Sequence, residues 1–327
     1  MLQSIFTGSR KMRSMVDTHP TQPHLFCFKD PISAFENIWP LISSILSPSG
    51  LSCVVHIFND THALFNGRYP GYRSSNTPYH DLSHTLSVVA ASARLLHGCV
   101  SDGLSLLPRH HLLALIAAFF HDVGLIQSED DVEGSGAKYL VGHEARSIGF
   151  MRAYLSKMAF SEKEIGNCAN FIRCTQLGLL PQEISFPTAE LRTCGYVVGS
   201  ADLLAQLADR DYLEKLLFLY REMKEAGLPD IGTEIEFFRR SVEFHEVVAK
   251  KRLQIELEGV RRHMRTHFRY WMGVDADLYI EAILRNHEHL ENMIAECRDS
   301  LECCEKYLRR VGITAPGQRK TAEGDAG

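Results

Sequence analysis

No stretch of this chain runs to 18 consecutive apolar residues, so no membrane-spanning helix is expected. A surplus of positive charge is also missing: 35 Lys and Arg against 40 Asp and Glu leave a net charge of −5. That balance excludes the electrostatic footprint of a nucleic-acid binder, and no polybasic run offers a hold on an anionic membrane. Arg10, Lys11 and Arg13 near the start are followed by no apolar stretch of signal-peptide length. The nine cysteines show no metal-finger spacing, and Cys303-Cys304 stand too close for a CxxC site. An odd number without a framework reads as reduced thiols in a cytoplasmic protein. Internal repeats and sustained alternation of apolar and polar residues are absent too, which argues against a sheet. What the chain does have is histidine: of 16, nine fall between His56 and His143.

With 45% apolar residues in 327, a sizeable core is expected. Residues 1–28 have weak periodicity and read as a mobile arm. Asp30-Pro31 then reads as an N-cap followed by proline in a first helical turn. The run Leu51 to Phe58 fits a strand or a helix on periodicity alone. Asn66-Gly67 and Pro70-Gly71 mark a loop. From Asp81, Leu82, Leu86, Val89, Ala90, Ala93 and Leu96 recur at helical spacing, with Gly98 as a stop signal. His110 to Asp122 is apolar almost all round, the pattern of a buried central helix. An acidic loop follows, Gln127 to Ala137. Helices are then expected from near His143, after Ser161 (which forms a capping-box pattern with Glu164), over Leu191 to Ala208, and from Asp211 to Ala226. Two long helices, roughly Thr233 to Trp271 and Ala276 to Arg310, complete the chain before a disordered tail. The fold class is all-α: an arm (1–28), a helical domain (29–230), long C-terminal helices packing on the bundle or on a partner subunit (231–312) and a tail (313–327).

The chemistry concentrates between Tyr79 and Asp122. His80 and His84 are four residues apart and share one face of a helix; alone, such a pair is more often an ordinary surface pair. His121-Asp122 is a stronger signal. A histidine and an aspartate closing a nearly wholly apolar helix cannot both be packed as hydrophobes, and a buried carboxylate needs a partner. Carboxylate with imidazole suits zinc, manganese, iron or magnesium. His263 and His267 repeat the four-residue spacing, but Arg261, Arg262, Arg265 and Arg269 beside them read as a solvated basic face.

The order His84, then His121-Asp122, then Asp202 in Gly199-Ser200-Ala201-Asp202-Leu203-Leu204 resembles the HD-domain metal-dependent phosphohydrolases. Tyr79-His80-Asp81-Leu82-Ser83-His84-Thr85 is similar to the YHNxxHA signature of the class I cyclic nucleotide phosphodiesterases. The likeness covers roughly Tyr79 to Asp211. It implies an HD-like helical bundle in which His84, His121, Asp122 and Asp202 hold one or two divalent metals. Asp209, seven residues after Asp202, competes for the last place. His80 would protonate the leaving oxygen, and metal-bound hydroxide would attack the phosphorus of a small phosphorylated substrate, nucleotides and cyclic nucleotides among them. His143 matches a region where family members place a further site histidine. Arg73 and Arg146 are the nearest candidates for gripping phosphate, with Arg68 and Lys138 behind them. The chain departs from the phosphodiesterases at Val123-Gly124-Leu125, where they carry a further Asp and His. The alternative is a non-catalytic module that senses a nucleotide or metal and signals through the C-terminal helices, which also offer a homodimer surface.

Overall fold

The computed structural model describes residues 30–308, so the expected arm and tail lie outside the described residues. Within them the chain forms twelve α-helices and no strand, only two isolated bridges, Asn66 with Ser74 and Tyr72 with Ser128. The all-α expectation holds. No helix among the described residues is long and apolar enough to cross a membrane.

The local signals work as chemistry dictates. Asp30 accepts from the Ser33 amide and starts α1 (Pro31–Ile45). The ambiguous run beginning at Leu51 lies inside α2 (Pro48–Phe65), capped by Ser47. Burial on every side of α3 (Leu82–Ser101) and α4 (Pro108–Phe120) makes them the centre of the bundle. Around them pack α1, α2, α5 (His143–Leu155), α6 (Glu162–Arg173, with the Ser161/Glu164 capping box formed) and α7 (Ala189–Leu207). Six residues join α3 to α4, so the two run antiparallel and the start of α3 meets the end of α4. That meeting point places the histidine motifs together. Across it lies α8 (Tyr212–Glu225), packed against the short turn Gly136–Tyr139.

Three expectations need correction. Gly98 does not end α3, which continues to Ser101. Instead it lets the next layer approach: a Cβ there would sit 1.9 Å from the His263 carbonyl oxygen. The stretch from Thr233 is not one long helix. It comprises α9 (Glu234–Glu243), a π-helical turn Phe244–Ala249, a second at Arg252–Glu256, and α10 (His263–Met272). The break falls at Glu258 and Gly259, both with positive φ (51° and 62°), a conformation that no helix continues through. Likewise α11 (Leu278–Cys297) and α12 (Leu301–Tyr307) are separated at Arg298, φ 48°.

These C-terminal elements pack back on the chain's own bundle. α10 lies along α3, and α11 touches α7, α8, α9 and α10. Arg94 of α3 donates to the Tyr279 hydroxyl of α11 at 2.6 Å. The basic face expected around His263 and His267 is only half right. Both histidines are buried, with His263 Nδ1 on the Asp102 carboxylate and His267 beside His97. Nor are the thiols all reduced. Cys297 and Cys303 form a disulfide across the turn between α11 and α12, while the other six described cysteines are free. A pair six residues apart makes no visible framework in sequence; the turn creates it.

Candidate metal centre

The site draws its side chains from α3, the end of α4, α5 and α7. Asp81, without a role on sequence grounds, caps α3: its Oδ1 accepts from the His84 amide at 2.8 Å and so fixes the first turn that carries His84. His121 and Asp122 follow the last turn of α4, where the wholly buried helix ends. Asp202 projects from α7. Gly124 then matters for space. A Cβ there would lie 2.1 Å from the His143 carbonyl oxygen, so only glycine lets the start of α5 come this close and bring His143 to Asp122.

His84, His121 and Asp122 are 5%, 1% and 3% exposed, and one donor atom from each falls within 4.8 Å of the others, a group able to hold a metal ion. Nε2 of His84 and Nε2 of His121 are 3.4 Å apart. Asp122 Oδ2 lies 3.0 Å from His121 Nε2 and 3.4 Å from His84 Nε2. Asp202 Oδ1 lies 3.2 Å from His84 Nε2 and 3.7 Å from His121 Nε2. Bonds of ~2.0–2.1 Å to a tetrahedral zinc would separate neighbouring donors by roughly 3.4 Å, so the spacing fits a shared cation. The tautomers fit as well. His121 Nδ1–H donates to the Ala118 carbonyl at 2.8 Å, which leaves Nε2 to face the cluster. Asp122 Oδ2, buried, has no hydrogen-bond partner among the described residues despite its near neighbours. An orphaned buried carboxylate oxygen surrounded by imidazole nitrogens is costly unless a proton or a cation sits between them.

Protons hold that place in the metal-free protein. Burial opposes charge on His121 and His143, but the Asp122 carboxylate outweighs it and raises both to about 9. Burial likewise opposes ionisation of Asp122, yet His121, then His143, keep its carboxyl well below the usual range. His143 joins the cluster from the far side of Asp122: Nε2 is 3.3 Å from Oδ1, and Nδ1–H donates to the Leu140 carbonyl at 2.7 Å. Glu144 comes within 3.7 Å of the His143 ring.

His80 stands apart from the cluster, its ring centroid 6.0 Å from those of His84 and His143. It is held by a residue without a sequence signal, Glu222 of α8. The Glu222 Oε2 accepts from His80 Nδ1 at 2.6 Å and Oε1 from the Tyr79 amide at 2.6 Å. Glu222 is 3% exposed. Between Arg221 and Lys224 it reads in sequence as one more solvated charge, and only the fold turns it inward.

The remaining candidates divide. Asp209, the competitor of Asp202, is committed elsewhere, accepting from Lys215 Nζ at 2.6 Å and from the Asp211 amide at 2.9 Å. Arg146 does not point its guanidinium at the cluster. It donates to the Gly124 carbonyl at 2.6 Å and stacks on Tyr139, 3.6 Å from the ring centroid, so it braces the turn after Asp122. Exposed Arg73 lines a shallow cleft with Arg68, Tyr72 and Glu129. Lys138 is paired with Asp131 at 2.5 Å, and Gln127 and Tyr139 pin the same acidic loop. Comparison of the chain with protein-family profiles and with curated proteins yields no match.

Proposed function

We propose that the protein is a metal-dependent phosphohydrolase of the HD-domain type, cleaving a small phosphoester such as a nucleotide or cyclic nucleotide. The observation that carries this reading is the convergence of His84, His121, Asp122 and Asp202 on one buried point. These four residues would hold a divalent cation (zinc, manganese, magnesium or iron), with His143 available on the other oxygen of Asp122 for a second. A cation bound there lowers the pKa of a coordinated water toward ~7 and neutralises charge on phosphoryl oxygens.

The chain's own part is proton delivery and positioning. With Nδ1–H of His80 committed to Glu222, Nε2 is the position that carries the transferable proton toward the site. Glu222 fixes the ring's orientation, which suits a general acid that protonates the departing oxygen. A binding module has no use for such a pair, so the dyad favours the enzyme over the sensor. Incubating the protein with Mn²⁺, Mg²⁺, Zn²⁺ or Fe²⁺ and a panel of phosphomonoesters, nucleotides and cyclic nucleotides tests the reading. Release of phosphate or nucleotide that disappears in His80→Ala is the expected result. Full metal loading with no hydrolysis of any substrate would overturn it.

A further inference from the structure

A second group of converging donors lies in the C-terminal elements and shares no residue with the first. His245 and Glu246 are consecutive on the π-helical turn Phe244–Ala249, and His287 projects from the middle of α11. π-Helical turns recur at functional sites because the extra residue re-aims side chains. Here both His245 and Glu246 turn toward α11. The two imidazole rings come to 4.3 Å between centroids. Glu246 Oε1 sits between them, 3.2 Å from His245 Nδ1 and 3.6 Å from His287 Nε2. One donor atom from each residue lies within 4.8 Å of the others.

We propose that His245, Glu246 and His287 form a zinc-class cation site that fastens the π-helical turn to α11. The separations between Glu246 Oε1 and the two nitrogens match the roughly 3.4 Å edge of a tetrahedron with ~2.0–2.1 Å metal bonds. His287 supplies the most specific support. Its Nδ1 faces the Glu291 carboxylate at 3.4 Å. Its Nε2 is buried and without a hydrogen-bond partner among the described residues, with Glu246 Oε1 3.6 Å away. A cation there would partner that nitrogen and take the place of the proton that His245 Nδ1 shares with Glu246 Oε1 at 3.2 Å. A carboxylate on the outer nitrogen of a histidine is also what orients metal-binding imidazoles. Lys250 holds the other oxygen of Glu246 at 2.5 Å and so fixes the carboxylate's direction. Two nitrogens and one oxygen select zinc, cobalt, nickel or copper over magnesium or calcium.

The test is the zinc content of the full-length protein after equilibration with excess Zn²⁺ and gel filtration. His287→Ala and Glu246→Gln should each carry one zinc fewer per chain than the unaltered protein, and zinc should raise their melting temperatures less. Glu246 is half exposed and glutamine keeps its shape, so that variant remains informative even where His287→Ala fails to fold. The comparison is between variants, so it reads the same whether the His84–His121–Asp122 group takes one ion, two or none. Equal zinc content in the unaltered protein and Glu246→Gln would overturn the proposal.

Discussion

Glu222 reaches across 142 residues of chain to hold His80, one carboxylate oxygen on the imidazole Nδ1 and the other on the Tyr79 amide, both at 2.6 Å. The pair is almost fully buried, with side-chain exposures of 12% and 4%. In such a setting the carboxylate decides which nitrogen carries the proton. Replacing His80 by alanine should lower turnover by ~10²–10⁴-fold, the usual weight of a general acid, while bound metal stays constant. Glu222→Gln should lower turnover too, because the ring loses the carboxylate that fixes its orientation. Unchanged turnover in both variants, with metal retained, would remove His80 from the chemistry.

The metal-free cluster stores protons that a cation must displace. His121 and His143 are raised to about 9, so both carry a proton near pH 7. In the metal-free protein this stabilises the fold fully below the unfolded value near ~6.5 and is lost as pH rises through about 9. Metal reverses the trend, since it binds the deprotonated rings. The increase in melting temperature produced by Mn²⁺ or Zn²⁺ should therefore grow from pH 6 to pH 9, and calorimetry in buffers of different ionisation enthalpy should detect proton release at pH 7. Asp122→Asn should abolish both effects and weaken binding beyond the ~10–100-fold that outlying groups cost. A metal-induced increase that shrinks with pH would contradict the assignment.

Helix starts, the buried α4 and the His84, His121-Asp122, Asp202 set were legible because each rests on local rules: capping, periodicity and the cost of burying charge. Asp81 caps α3 by an equally local rule, but the sequence reading leaves it without a role. Glu222, the Asp209–Lys215 pair and the bracing role of Arg146 were not, because they depend on which face of one helix meets another. The breaks at Glu258 and Arg298 were hidden for a different reason. Neither residue type favours positive φ, so tertiary packing imposes the turn against local preference. His245 and His287 lie 42 positions apart (287 minus 245), and no spacing motif joins them.

Gly124 tests how tightly the cluster depends on backbone approach. Its Cβ would collide with the His143 carbonyl at 2.1 Å and with the Ser147 amide at 2.7 Å, and both are backbone atoms that cannot rotate away. Gly124→Ala should cost ~1–3 kcal/mol, as overpacking does, and push α5 off the turn that follows Asp122. Thermal melting should fall by several degrees. In the same variant His143 should separate from Asp122, so the imidazole pKa values measured by NMR in the metal-free protein should drop for His143 more than for His121. A melt and histidine titrations indistinguishable from the parent would show that α5 is not held this way.

Arg252 is a cation buried to 2% exposure. Its guanidinium donates to the carbonyls of Cys174, Gln176 and Leu179 and to Glu256. Those carbonyls belong to the turn that leads from α6 into α7, the helix that carries Asp202. Arg252→Leu would leave the Cys174 and Leu179 carbonyls without this donor, each costing ~1–3 kcal/mol where water cannot reach it, while the Gln176 carbonyl keeps the Leu179 amide. Denaturant midpoints should fall accordingly, and limited proteolysis should cut first near residues 252–262, where the segment loses its anchor. Because the Cys174 carbonyl lies against Gly199 of α7, three residues before Asp202, metal affinity should weaken in parallel, by less than in Asp122→Asn. Full stability with weakened metal binding would break that link, and so would the converse.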